Sequence, residues 1–185
     1  EKDFNPSLKC ICRAGAGVNH IPISMATEKG VVVFNTPGGN ANAVKELVIC
    51  GLLLSSRGII QGHKFTQNIE EKNSNDVTNL VESNKKTFKG SELKGKTIGI
   101  IGLGSIGSLL AQSVESMGMK IIGYDPNISI ESAWQLPKEV EKADDLKYLL
   151  SNSDYISIHV PLVDETKNLI SKDNLQHIKK GAKLI

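Results

Sequence analysis

Three glycines and one carboxylate carry the densest chemical signal in the chain. Gly102, Gly104 and Gly107 stand at G-x-G-x-x-G spacing in Thr97-Ile-Gly-Ile-Ile-Gly-Leu-Gly-Ser-Ile-Gly107. Asp125 follows eighteen residues after the last of them, within Tyr124-Asp125-Pro126. Each glycine has a separate physical reason in this fingerprint. Gly102 permits a tight turn, Gly104 lets a pyrophosphate approach the backbone, and Gly107 lets helix and strand pack closely. Ser105 and Ile106 open the helix, whose unpaired N–H groups and positive dipole end point at that phosphate. Asp125 can accept both hydroxyls of an adenosine ribose and would repel a 2′-phosphate, so the spacing specifies NAD over NADP.

These residues need elements to hold them. Ile98 to Ile101 reads as a buried parallel strand, Ser105 to Met117 as a helix ended by Gly118, and Lys120 to Tyr124 as a second strand ending at Asp125. Further along come a short helix at Glu131 to Gln135, a minimal strand at Val140 and a helix from Asp145 to Leu150. A strand from Tyr155 to Val160 and short helices at Glu165 to Leu169 and Asp173 to Lys179 follow. Upstream, Leu8 to Cys12 and Val31 to Phe34 read as strands, with a helix from Pro22 to Lys29 stopped by Gly30. One long helix is predicted from Ala41 to His63 behind an Asn40 cap. Gln67 to Asn84 reads as a polar surface excursion, and Lys85, Lys86, Lys89, Lys94 and Lys96 as a solvated approach to the next strand, with a phosphate-binding patch as the alternative. The strand–helix alternation predicts an α/β fold, a doubly wound parallel sheet of the Rossmann type.

Composition bounds the function. With 39% hydrophobic and 23% charged residues, the chain of 185 residues is an ordinary globular one. A net charge of +2 gives no reason to expect nucleic acid as a partner. The longest apolar run, Leu47 to Leu54, is too short to span a bilayer, so no membrane partner is expected. Cys10, Cys12 and Cys50 lack C-x-x-C spacing and read as buried, reduced thiols of a cytoplasmic protein, with no metal site. Glu1 is not Met, and Gly181 to Ile185 reads as a helix cap followed by the start of a further strand. The expectation is therefore a fold truncated at both ends.

Five blocks together resemble the D-isomer-specific 2-hydroxyacid dehydrogenases. They are Arg13-Ala-Gly-Ala-Gly-Val18; Asn35-Thr-Pro37 with Glu46; Gly99 to Gly107; Gly118 to Pro126; and His159-Val-Pro161-Leu with Thr166. The resemblance implies two α/β domains with the active site in the cleft between them. Residues 1–35 would be the C-terminal part of the substrate domain, and 36–185 an NAD-binding domain incomplete at its C-terminus. Arg13 and the backbone at Gly15 match the loop that meets the substrate carboxylate, a fit for a guanidinium fork; on its own Arg13 also reads as a surface arginine after a strand. His159, Val160 and Pro161 match the strand end that lines the cofactor, although a lone His in an apolar strand also reads as a satisfied core residue. Ala16 and Ser105 stand where relatives often have Thr or Ser and Arg, respectively.

The resemblance also implies a homodimer or higher oligomer packed through the helix from Ala41. The family's catalytic arginine, glutamate and histidine fall beyond a position like Ile185, so no catalytic residue is assigned in this chain. Arg-Ala-Gly-x-Gly-Val and Gly-Tyr-Asp-Pro lean towards D-3-phosphoglycerate as substrate, oxidised to 3-phosphooxypyruvate for serine biosynthesis. The 185 residues alone are expected to be inactive. The alternatives are an NAD(H)-binding module without catalysis, or a dehydrogenase for another D-2-hydroxy acid.

Overall fold

The computed structural model describes residues 4–70 and 73–185. Two parallel sheets organise the chain. The smaller pairs β1 (Cys10–Arg13) with β2 (Val32–Asn35), joined through helix α1 (Ile23–Glu28). The larger has five strands: β3 (Thr97–Ile101), β4 (Lys120–Tyr124), β5 (Glu141–Lys142), β6 (Tyr155–Ile158) and β7 (Lys183–Leu184). Their order is β5-β4-β3-β6-β7, all parallel. The chain runs outward from β3 to β5, then returns to the other side of β3. That reversal puts a topological switch point between β3 and β6, where such sheets bind ligands beyond their C-terminal ends.

Alternation along the strands builds a core on each face. Ile98 and Ile100 of β3, Ile121 of β4 and Tyr155 of β6 pack with Val48 and Leu52 of α2 (Ala41–Ser56) and Leu110 and Val114 of α5 (Ser105–Ser116). Ile101, Ile122 and Ile156 pack on the opposite face with Leu149 and Leu150 of α7 (Leu146–Asn152). Helices on both faces make the sheet doubly wound. Gly99 lies on the α7 face, where a Cβ would sit 2.4 Å from the Ser153 hydroxyl and 2.5 Å from a Leu149 methyl. Its lack of a side chain sets how closely α7 approaches.

Several expectations need correction. The helix predicted from Ala41 to His63 is two, α2 and α3 (Ile59–Gln67). At the break Arg57 is extended (ψ 144°), the Gly58 amide donates to the Phe88 carbonyl at 3.0 Å, and Arg57 Nε donates to the Lys89 carbonyl at 2.7 Å. A Cβ on Gly58 would come within 2.7 Å of Phe88 Cα, so the returning backbone occupies the space a continuous helix would need. Asn40 stands at the N-cap but makes no side-chain cap bond. The polar excursion contains helix α4 (Ser74–Asn84), started by Asn73 accepting from the Asn75 amide at 3.0 Å, and runs into a 3₁₀ turn over Lys85–Phe88; Glu71 and Lys72 of that stretch lie outside the described residues.

The predicted helix at Glu165 to Leu169 is a set of turns, because the Thr166 hydroxyl takes the Val163 amide (2.9 Å) and donates to the Pro161 carbonyl, competing with a helical ladder. The other short elements are α6 (Ile130–Trp134) and α8 (Lys172–Leu175). Cys10, Cys12 and Cys50 are exposed, not buried. β1 pairs on one side only, and α2 buries Val48 and Leu52 while turning Cys50 outward.

Gly99→Ala should therefore destabilise the protein by about 1–3 kcal/mol, since neither buried neighbour has room to retreat. Urea unfolding checks this, and an unchanged midpoint would show that α7 is not held by this contact.

Candidate functional site

The C-terminal ends of β3, β4 and β6 enclose a cavity of about 500 Å³. Its wall is made by Ile101, Gly102 and Gly104 after β3, Tyr124 to Asn127 after β4, and His159 to Pro161 after β6; Val163, Glu165, Thr166 and Leu169 close the side. The three glycines each meet their stated requirement. Gly102 has φ +90°, and a Cβ there would lie 2.8 Å from the His159 carbonyl and a Val160 methyl. A Cβ on Gly107 would lie 2.0 Å from the Gly102 carbonyl oxygen, so α5 starts directly against the end of β3. A Cβ on Gly104 would meet no atom within 4 Å. Two of the glycines are thus forced by packing, and the third faces open space on the cavity wall.

Gly104 is the N-cap of α5, and no side chain caps the helix. The first-turn amides are therefore left to a ligand or solvent. Ser105 and Ile106 belong to this turn, outside the cavity lining, and Gly107 is buried beneath it. Asp125 sits on the rim in two hydrogen bonds: its Oδ2 accepts from the Leu103 amide at 2.8 Å and its Oδ1 from the Asn127 amide at 3.0 Å. The carboxylate thereby ties the turn after β3 to the turn after β4. An ionised carboxyl has about four lone-pair sites, so two remain for hydroxyl donors.

His159 lines the cavity beside Val160 and Pro161, with Nε2 2.8 Å from the Ser157 hydroxyl. Burial lowers its pKa from the ordinary 6.5. Arg13 and Gly15 lie elsewhere, on the loop after β1. The Arg13 guanidinium folds back over Gly15 and donates to the Ala14 carbonyl. The Gly15 amide donates to Thr36 Oγ1 at 2.6 Å, joining this loop to the one after β2. That second loop reaches the glycine turn: a Cβ on Gly38 would lie 3.4 Å from Ser105 Oγ. Sequence reasoning did not assign Tyr124, Asn127, Val163, Glu165 or Leu169 to the site. Tyr124 lies in the Gly118 to Pro126 block beside Asp125, and Thr166 stands with the His159 block; the Thr166 hydroxyl organises the turn that carries Val163, Glu165 and Leu169.

Residues 51–185 match the model of the D-isomer specific 2-hydroxyacid dehydrogenase NAD binding domain. The chain belongs to that family. The cofactor of this domain is NAD. Over 178 residues, 96% of the chain, it is 39% identical to D-3-phosphoglycerate dehydrogenase of Methanocaldococcus jannaschii, of which it covers 31%. It is 38% identical over 179 residues, 97% of the chain, to hydroxypyruvate reductase of Thermotoga maritima, of which it covers 53%. The NAD⁺-bound structure of 3-phosphoglycerate dehydrogenase from Entamoeba histolytica superposes with a TM-score of 0.71 at 31% identity, covering 97% of this chain and 48% of that one. The chain thus spans about a third to a half of the curated relatives it matches. Among the described residues no helix is long and apolar enough to cross a membrane, and no group of His, Cys, Asp or Glu could hold a metal.

Because the fold favours the neutral His159 ring, its contribution to stability is present above 6.5 and is lost as pH falls through the lower folded value. NMR titration should place the His159 imidazole below 6.5, and His159→Gln should flatten the loss of stability in that window. A ring titrating at or above 6.5 would show that burial does not control it.

Proposed function

We propose that this protein oxidises D-3-phosphoglycerate to 3-phosphooxypyruvate with NAD, the entry to serine synthesis. Residues 1–35 would belong to its substrate domain and 36–185 to its NAD-binding domain. The observation that carries the nucleotide half is the uncapped start of α5 at Gly104, open to a cavity with Asp125 on its rim. The pyrophosphate would lie on the amides of the Gly102–Gly107 turn, with the Ser105 hydroxyl in reach and Ile106 behind it. Asp125 would take the adenosine ribose hydroxyls, and Val160, Pro161 and His159 would line the adenosine side. NAD held there would supply the hydride acceptor for the substrate carbon.

The chain's own part in that chemistry is to bind and orient. Arg13 and the Gly15 backbone would receive the substrate carboxylate, which requires the guanidinium to swing off the Ala14 carbonyl. The loops after β1 and β2 are bonded to each other, and the second abuts Ser105, so substrate loop and phosphate turn are held in one arrangement. Oxidising the alcohol also releases its hydroxyl proton; accepting that proton and stabilising the forming carbonyl need a general base and a cation, roles that no residue here is assigned. These 185 residues alone are therefore expected to bind NAD without turnover. Assembly as a homodimer or larger homo-oligomer in the cytoplasm is part of the same reading. Phosphoglycerate is supported as substrate by the 39% identity to a dehydrogenase of that name. The 38% identity to a hydroxypyruvate reductase supports, as second reading, an unphosphorylated 2-hydroxy acid.

Asp125→Ala should weaken NADH binding about tenfold to a hundredfold, as expected for lost hydrogen bonds to a charged group, and narrow the NADH/NADPH affinity gap. Titration by nucleotide fluorescence checks this, and an unchanged ratio would assign the selectivity to another residue. For the whole protein, kcat/KM should favour 3-phosphoglycerate over glycerate, whereas the reverse order would select the second reading.

A further inference from the structure

The opposite end of the large sheet holds a second feature. There the N-terminal ends of β3, β6 and β7 border a cavity of about 270 Å³, whose lining includes Lys96, Asp154, Tyr155, Lys179, Lys180 and Lys183. Asp154 is already committed: Oδ2 accepts from the Thr97 amide at 2.9 Å and Oδ1 from Lys179 Nζ at 2.6 Å. Lys96, Lys180 and Lys183 have no carboxylate within 4.0 Å among the described residues. Lys183 is held in place, its Nζ donating to the buried Tyr155 hydroxyl at 3.1 Å and lying 4.8 Å from the ring centre. Tyr155 in turn stands 2.8 Å from the buried Ser56 hydroxyl of α2. Four ammonium groups and a single carboxylate, Asp154, therefore converge on one polar cavity, leaving it net positive.

We propose that this cavity binds a small, multiply charged oxyanion of the phosphate type, at a site separate from the nucleotide cleft. A cavity of about 270 Å³ has room for a single phosphate group. Donor chemistry agrees, since lysines act on phosphate as point charges, while the Ser91 hydroxyl at the edge is drawn to Tyr155. The one carboxylate present is neutralised by its own partners. Tyr155 registers the local field. Burial alone would raise its pKa, yet its hydrogen bonds to Ser56 and Lys183 and the Lys183 charge outweigh this and bring it below 10.0. In the sequence, Lys96 belongs to a basic stretch that reads as a solvated approach or a phosphate-binding patch; the fold brings it, of that stretch, to Lys180 and Lys183 from the other end of the chain.

The test is titration of the whole protein with inorganic phosphate at constant ionic strength, followed by amide NMR shifts with and without saturating NADH. Saturable shifts should centre on Ser91 and Lys183 in both cases, and Lys96→Gln/Lys180→Gln should weaken binding about tenfold or more. Both lysines are exposed, so the fold should survive their loss; Lys147→Gln on α7 should leave binding unchanged. Shifts confined to the Gly102–Ser105 turn and abolished by NADH, shifts that track ionic strength without saturating, or equal affinity in the double variant would each overturn the proposal. Failure of NADH to bind would count against the nucleotide reading and leave the shifts at Ser91 and Lys183 interpretable.

Discussion

The site depends on one close approach. At Gly107 the first turn of α5 meets the Gly102 carbonyl so tightly that a single carbon between them would lie 2.0 Å from the oxygen. This contact sets where the helix begins, and hence where its unpaired amides point. It also holds the turn after β3 against the end of β6, where a Cβ on Gly102 would strike the His159 carbonyl. Asp125 completes the clamp by accepting the Leu103 amide, so the residue that would read the ribose also fixes the turn that would hold the phosphates. Packing and recognition are not separable here.

Parallel strands give the sheet two chemically different ends. At the C-terminal ends, amides and an uncapped helix start face a cavity walled on one side by apolar residues, an arrangement suited to a dinucleotide. At the N-terminal ends, lysines from distant segments collect around a buried tyrosine. The sheet keeps the two apart, with α2 and α5 on one face and α7 on the other.

What was legible in the sequence tracks how local the determining interactions are. The β3–α5–β4 unit was readable almost to the residue, because buried strands, glycine spacing and Gly118 at φ +75° are each written within a few positions. The break between α2 and α3 was not, because it is made by Phe88 and Lys89, some thirty residues away. The cysteines were misjudged for a related reason: an apolar neighbourhood in sequence does not say which face of β1 or α2 is covered. Of the residues around the candidate cavity, the glycines and Asp125 stand out in the sequence by their spacing. The wall from Val163 to Leu169 does not, since a threonine side chain, not periodicity, shapes that turn.

A crystal structure of the protein with NAD would show whether the Gly102–Gly107 turn and Asp125 act as one nucleotide-binding unit. If they do, the pyrophosphate lies within hydrogen-bond distance of the first-turn amides of α5 and a ribose hydroxyl on the Asp125 carboxylate. NAD bound elsewhere, or bound here with Asp125 turned away from the ribose, would contradict it.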